Sequence, residues 1–95
     1  MQTQVVNLRT DGYDVYIGRA GHGQAGTFGN PFSKGTRDEN IAAFAGWFHS
    51  EDSAASAMRE AARQVRIGSK LGCFCAPRAC HGDVLAAYID RHGTR

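Results

Sequence analysis

The sequence predicts a small α/β domain with a short, mostly parallel sheet and about three helices. Short β-branched segments begin the chain, two helical segments occupy its middle, and a third apolar segment leads into a last helix. A crossover through helices favours a parallel pair of strands in one sheet. The length of 95 residues leaves room for one domain, residues 1–95, and for no second one.

Two strands are predicted at the start of the chain. Residues 4–8 are short and β-branched and are followed by a turn, and residues 13–17 form a second such run. Six of the twelve glycines then fall within residues 18–35. These glycines predict a long loop over residues 18–35. Long loops in compact domains are usually functional or mobile.

Two helices are predicted in the middle of the chain. Thr36 and Glu39 fit a capping box, in which each side chain satisfies a free amide of the first helical turn. Apolar residues then recur at helical spacing as far as Phe48, and a polar segment interrupts them. The second helix is predicted over residues 54–67 and should end at Gly68, because glycine often terminates a helix at C′.

A third strand and a last helix complete the prediction. Residues 70–75 are apolar on both faces, which is typical of a central strand. Residues 76–79 form a loop, and the final helix begins at residues 82–83 and ends at Gly93. This order of elements predicts a small three-layer, Rossmann-like domain. Ligands of such sheets bind at the carboxyl ends of the strands. Two loops leave strand ends of this kind: residues 18–35, which we call the glycine-rich loop, and residues 73–83, which we call the cysteine loop.

Charge and hydropathy exclude several classes of protein. The formal net charge is +2, and the lysines and arginines are scattered, so charge alone does not suggest nonspecific binding to duplex nucleic acid. No apolar stretch approaches the roughly 20 residues that span a bilayer, and the first residues lack the pattern of a signal peptide. These features predict a cytoplasmic protein without a membrane partner.

The cysteine loop carries the densest chemistry. Cys73, Cys75, Cys80 and His81 supply four groups that can ligate a metal within nine residues. An odd number of cysteines so close together does not make a disulfide framework. A zinc site on these four residues stays open, but it is not favoured, since adjacent Cys80 and His81 rarely reach one tetrahedral ion together.

A reactive thiolate at the start of the last helix is the preferred interpretation of this loop. Unpaired amides and the helix dipole lower the pKa of a thiol there, and Cys80 is the better placed thiol, with Cys75 as a further candidate. His81 can add positive charge or shuttle a proton, and Asp83 can orient His81 or simply cap the helix. The alternative is that Cys73, and less readily the others, is a buried small hydrophobe.

The glycine-rich loop supplies a second group of candidates. Its backbone amides can approach a phosphate or another anion, with which Arg19 can pair. The Asn30 amide can contact a base or carbonyl, and the Phe32 ring can stack on a ligand or anchor the loop. An ordinary surface loop is the alternative, because no established phosphate-binding pattern is present. The candidate ligand-binding residues are Gly18, Arg19, Gly29, Asn30, Pro31, Phe32 and, from the cysteine loop, Arg78.

Four segments of the chain together resemble one known family. Residues 5–7, 14–19, 29–32 and 71–85, in this order and spacing, resemble the family called domain of unknown function 4326. Its members are small proteins frequent in bacteriophages, particularly those of actinobacteria, and in some bacteria. The resemblance implies no established activity, and a phage-encoded member would act in the cytosol of the host cell.

Three functions follow as hypotheses. The leading one is an enzyme that acts on a nucleotide or nucleoside, held between residues 18–32 and residues 75–83. Cys80 or Cys75 and His81 would act as nucleophile or acid–base pair. The second is a counter-defence protein that sequesters a nucleotide without catalysis. The third is a zinc-stabilised module that contacts a host protein or nucleic acid.

Overall fold

Within residues 2–21 and 23–95, which the computed structural model describes, the chain forms three strands and three helices. The strands are all parallel and lie in the order β1-β3-β2, so β3 is central as predicted. The α/β class with a short parallel sheet and three helices is therefore confirmed. The elements are β1 (Gln4–Asn7), β2 (Val15–Tyr16), α1 (Arg37–Phe48), α2 (Ser53–Arg63), β3 (Lys70–Cys73) and α3 (Gly82–His92).

The two faces of β3 are covered in different ways. Leu71 and Cys73 point to one face and are buried there, and α3 packs against β1 and β3. Gly72 points to the opposite face, where a Cβ would lie 2.6 Å from Cγ of Tyr13. Since β1 and β2 flank β3, the connection over residues 8–14 passes across this face, and the Tyr13 ring lies on Gly72.

The capping box at the start of α1 is confirmed. The Thr36 hydroxyl accepts from the Glu39 amide at 3.2 Å, and the Glu39 carboxylate accepts from the Thr36 amide at 2.8 Å. The backbone amide and the hydroxyl of Thr36 hold the pKa of the Glu39 carboxyl below its ordinary value. The first turn of α1 is therefore fixed at the point where the glycine-rich loop ends.

The second helix ends earlier than predicted. It stops at Arg63, not near Gly68, because the following residues pair with the C-terminal segment. The Ile67 amide donates to the Thr94 carbonyl at 2.7 Å, and the Thr94 amide donates to the Val65 carbonyl at 2.9 Å. Gly68 has a φ of +94° and serves the turn that leads into β3.

One hydrophobic core joins the helices to the sheet. Its largest fully buried side chains come from the end of β2, α1, β3 and α3: Ile17, Phe44, Phe48, Leu71, Leu85 and Ile89. Arg59 of α2 donates to the carbonyls of Phe48 and Ser50 and so closes the end of α1. Among the described helices, none has the length and apolar character needed to cross a membrane.

Candidate functional site

A cavity of about 470 Å³ opens at the carboxyl ends of β2 and β3. The loop after β2 forms one wall, the loop after β3 forms a second, and the first turns of α1 form a third. This is the place at which parallel α/β sheets bind ligands. The cavity therefore brings together the two loops that the sequence singled out.

The structure brings only some of the sequence-predicted site residues to this cavity. Its lining includes Gly18, Arg19, Asn30, Phe32, Cys75, Cys80 and His81. Gly29 and Pro31 instead line a neighbouring groove with Trp47 and Met58, and neither Arg78 nor Asp83 is among the cavity-lining residues. Residues 29–32 thus alternate between the two hollows.

Two buried thiols meet at the base of the cavity. The Sγ atoms of Cys73 and Cys80 lie 3.5 Å apart, and the two residues are 2% and 3% exposed. The Gly82 amide also donates to Cys80 Sγ at 3.2 Å. Cys80 is thus more buried than its polar neighbours in sequence led us to expect, and half-buried Cys75 is the more open thiol.

Because the two sulfurs are close together, the pKa of Cys73 and the pKa of Cys80 shift in opposite directions. A hydrogen bond from the Cys80 thiol lowers the pKa of Cys73, with help from the backbone amides of Cys75 and Ala76 and against the effect of burial. The same contact, together with burial, raises the pKa of Cys80. The pair therefore loses its first proton readily and its second with difficulty, and the thiolate is favoured on Cys73 rather than on Cys80.

His81 ties the start of α3 to two other segments. Its Nε2 lies 2.8 Å from the carbonyl oxygens of both Ile17 and Phe28. Carbonyl oxygens only accept, so Nε2 carries the proton and donates to them. The ring also packs edge-on against Phe44, with 5.1 Å between centroids. Burial lowers the pKa of His81, which keeps the ring neutral near pH 7.

Asp83 lies in the first turn of α3. Its Oδ2 accepts from the backbone amide of Cys80, which precedes the helix, at 3.3 Å. Its described hydrogen bonds do not include one to His81. The carboxylate therefore bonds to the backbone just before α3, and the N-cap residue His81 has no side-chain cap hydrogen bond.

The side chains of Arg19 and Asn30 hold the glycine-rich loop in shape. Arg19 donates from Nε to the Asn30 carbonyl at 3.2 Å and from Nη2 to the Phe32 carbonyl at 3.1 Å. The Asn30 amide accepts from the Phe32 N–H at 2.9 Å and donates to the Asn40 carbonyl at 3.1 Å. Both ends of the Asn30 side chain are therefore occupied within the protein, whereas Arg19 keeps further N–H groups.

Sequence reasoning missed the third wall of the cavity. Arg37, Asn40 and Ile41 of α1 line it, and Arg37 Nη1 lies 3.4 Å from the Ala79 carbonyl of the cysteine loop. Phe74, also missed, lines the cavity and is 50% exposed. The position of Phe74 between two candidate cysteines was a signal in the sequence, but nothing local showed that it is exposed or placed α1 beside it.

Both charged side chains in the walls of the cavity are arginines. They are Arg19 and Arg37, and the described lining contains no aspartate or glutamate, while the Cys73 thiolate adds one negative charge at the base. The amino-terminal turn of α1 and the residues just before α3 also border the cavity, and helix N-termini carry partial positive charge. The electrostatics therefore favour an anionic ligand.

The described residues do not form a metal-ligand cluster. Across residues 2–21 and 23–95, no three His, Cys, Asp or Glu side chains lie together as a metal ion would require. Within the set considered for zinc, His81 directs Nε2 to backbone carbonyls. The two closest members of that set, Cys73 and Cys80, contact each other directly.

Comparison with known proteins connects the chain to phage proteins. A small protein of Enterobacteria phage T4, described as an uncharacterized 12.4 kDa protein in the nrdA-td intergenic region, is 34% identical over 91 residues. The match covers 93% of this chain and 78% of the phage protein. No solved structure matches the chain. Residues 2–91 match the family described as domain of unknown function (DUF4326), and the chain therefore belongs to that family.

Proposed function

We propose that the cavity binds a small phosphate-bearing ligand of the nucleotide class. The observation that carries this proposal is the lining itself, which combines two arginines and the amino-terminal turn of α1 with no described carboxylate. Arginine and helix N-termini are the groups that proteins commonly use to hold phosphate. The cavity of about 470 Å³ also falls within the usual range for small-molecule sites.

Arg37 is the side chain best suited to meet the phosphate. It is exposed at the start of α1, and its described hydrogen bond, at 3.4 Å to the Ala79 carbonyl, is long. Arg19 is fixed by shorter bonds to the loop carbonyls and adds charge from a defined position. A phosphate between them would gain charge-assisted hydrogen bonds at little cost in reorganisation.

Aromatic side chains at the cavity suit the nucleoside part of such a ligand. Phe74 is half exposed, and Phe32 is partly buried beside Trp47, with 6.2 Å between ring centroids. Base stacking on an aromatic ring contributes about 1–3 kcal/mol and tolerates any base. We therefore expect the phosphate to contribute more to selectivity than the identity of the base does.

The first test compares two arginine variants. Arg37→Gln should weaken binding of a nucleoside monophosphate by roughly tenfold or more, because a charge-assisted hydrogen bond contributes about 1.5–3 kcal/mol. Arg78→Gln removes an exposed arginine outside the described lining and serves as the matched control. Isothermal titration with nucleosides and their mono- and diphosphates gives both affinities.

Two results would contradict the proposal. One is that the folded protein binds none of the nucleoside mono- and diphosphates tested. The other is an equal loss of affinity in the Arg37 and Arg78 variants, which would indicate general attraction to a basic surface. Phosphate-free nucleosides should bind more weakly than their phosphates.

Catalysis on the bound ligand is the second candidate, and the thiols in the cavity favour it. Cys73 and Cys80 lie at its base, and the favoured thiolate on Cys73 can act as a nucleophile. Chromatography after long incubation separates the two candidates. Recovery of unchanged nucleotide indicates sequestration, whereas conversion that Cys73→Ser abolishes indicates catalysis.

A further inference from the structure

The two thiols at the base of the cavity form a unit that ligand binding does not require. Their Sγ atoms lie 3.5 Å apart in a buried setting, and both residues line the cavity. A disulfide that forms in a reducing compartment is usually transient and catalytic or redox-sensing rather than structural. We propose that Cys73 and Cys80 are a redox-active dithiol, which a small hydroperoxide entering the cavity converts to a disulfide.

The backbone geometry suits formation of this bond. A disulfide joins its sulfurs at about 2.05 Å, so the two Sγ atoms must approach by about 1.5 Å. Cys73 is the last residue of β3, and Cys80 lies before α3, so neither is held inside a helix. Rotation of the Cys80 side chain together with a shift of the intervening loop can supply the movement.

The third cysteine is a poorer partner for either thiol. A bridge between Cys73 and Cys75 would join residues two apart on one strand end, where disulfide geometry is strained. Among the described side chains, the contact between two sulfur atoms joins Cys73 and Cys80 and does not include Cys75. Cys75 is half-buried at the cavity wall and remains a single thiol in this scheme.

The reaction balances in two steps. The Cys73 thiolate attacks one oxygen of hydrogen peroxide, the O–O bond breaks, and hydroxide leaves to take up a proton as water. The resulting sulfenic acid is then attacked by the Cys80 thiol, so that the S–S bond forms and a second water leaves. The two sulfurs together lose two electrons, which reduce the peroxide.

The structure supports Cys73 as the thiol that reacts first. The hydrogen bond from Cys80 and the nearby backbone amides lower the pKa of Cys73. Because the thiolate is the reactive form, it is the favoured site of attack on peroxide. Cys80 holds its proton until the sulfenic acid forms next to it, which suits the resolving role.

Tryptic mapping of a Cys75→Ser variant tests the inference. Cleavage after Lys70, Arg78 and Arg91 places Cys73 in peptide 71–78 and Cys80 in peptide 79–91. Mild hydrogen peroxide should remove both remaining thiols together, lower the intact mass by two hydrogens and link these two peptides. Dithiothreitol should restore both thiols.

The wild-type protein gives the matching measurement. Its free thiols should fall from three to one, with the remaining thiol on Cys75. In Cys80→Ser, dimedone should trap a sulfenic acid on Cys73, because the resolving thiol is gone. Both thiols of folded Cys75→Ser surviving peroxide that oxidises free cysteine would overturn the inference, as would a wild-type disulfide that always includes Cys75.

Oxidation should also change ligand affinity, a consequence that rests on the proposed function. Closing the bond moves two lining residues, so a nucleotide should bind the disulfide form at least several-fold more weakly than the dithiol form. Thiol counting and peptide mapping need no ligand. A protein that forms the disulfide but binds no nucleotide would therefore refute the proposed function and leave the dithiol assignment standing.

Discussion

His81 connects three distant segments through one ring nitrogen. Its Nε2 proton is shared by the carbonyls of Ile17 and Phe28, and His81 is the residue immediately before α3. The end of β2, the glycine-rich loop and the last helix are thus held at one point. A buried histidine in this position has a structural role whether or not it also contacts a ligand.

Replacing His81 should reveal that structural role. His81→Ala leaves two buried carbonyls without a donor and opens a small void, so we expect a loss of about 2–4 kcal/mol in the free energy of unfolding. His81→Gln retains an N–H donor of similar reach and should lose less. Urea denaturation measures both, and equal losses in the two variants would contradict the assigned hydrogen bonds.

The same residue predicts a dependence of stability on pH. Burial lowers the folded-state pKa of His81 from its ordinary value of 6.5, so protonation is harder in the folded state than in the unfolded state. The contribution of neutral His81 to the free energy of unfolding is therefore complete above about pH 6.5 and is lost as the pH falls through the folded-state pKa. The difference in unfolding free energy between wild type and His81→Gln should shrink on acidification, and a constant difference would argue against it.

At the scale of elements, the central strand determines how the chain can cross the sheet. The connection between β1 and β2 passes over β3, and the Tyr13 ring lies against Gly72 at this crossing. A glycine is needed here for close approach and not for its backbone dihedral angles. The close approach of this connection to β3 therefore depends on a residue that has no side chain.

Gly72→Ala should be destabilising for this reason. The new Cβ would lie 2.6 Å from Cγ of Tyr13, so the ring must move, at an expected cost of about 1–3 kcal/mol. The same substitution in a Tyr13→Ala background should cost less, which a double-mutant cycle measures. Gly46→Ala is the control, since nothing lies within 4 Å of its Cβ in α1, and it should stabilise by about 0.5–1 kcal/mol.

Strict additivity of the Gly72 and Tyr13 substitutions would contradict this packing. So would a destabilising effect of Gly46→Ala as large as that of Gly72→Ala. The two glycines differ in their surroundings, because one faces an aromatic ring and the other faces open space. Their comparison therefore isolates the contact.

At the scale of the whole molecule, the cavity joins parts of the chain that are far apart in sequence. Its walls come from the ends of β2 and β3 and from the start of α1. Arg19 and Arg37 approach the same space because parallel strands end on one side of the sheet. The positive lining is therefore a product of topology, although the overall charge is only +2.

Chelation tests the zinc alternative on the whole protein. Because the described residues bring no three metal-ligating side chains together, we expect the denaturation midpoint to be unchanged after treatment with EDTA. A structural zinc site would instead release one metal ion per chain and unfold the protein. That outcome, confirmed by elemental analysis, would contradict the dithiol assignment as well.

Local patterns in the sequence were sufficient for much of this fold. The capping box at Thr36, the start of β3 at Lys70 and the glycine at the end of α3 depend on contacts within a few residues, and each was predicted correctly, although β3 ends at Cys73 and not at residue 75. The end of α2 was not, because Ile67 leaves the helix to pair with Thr94 near the end of the chain. No local signal reports a partner so distant.

The sequence by itself determined the α/β class, the parallel crossover and the two loops at the strand ends, since periodicity, caps and glycines act over short distances. Tertiary structure decided which side chains share the cavity. It buried Cys80 against Cys73, directed His81 to backbone carbonyls, placed the Asp83 carboxylate on the Cys80 amide and brought Arg37 of α1 to the cavity. Burial and the proximity of groups distant in sequence set acidity and accessibility, and both exist only after the chain has folded.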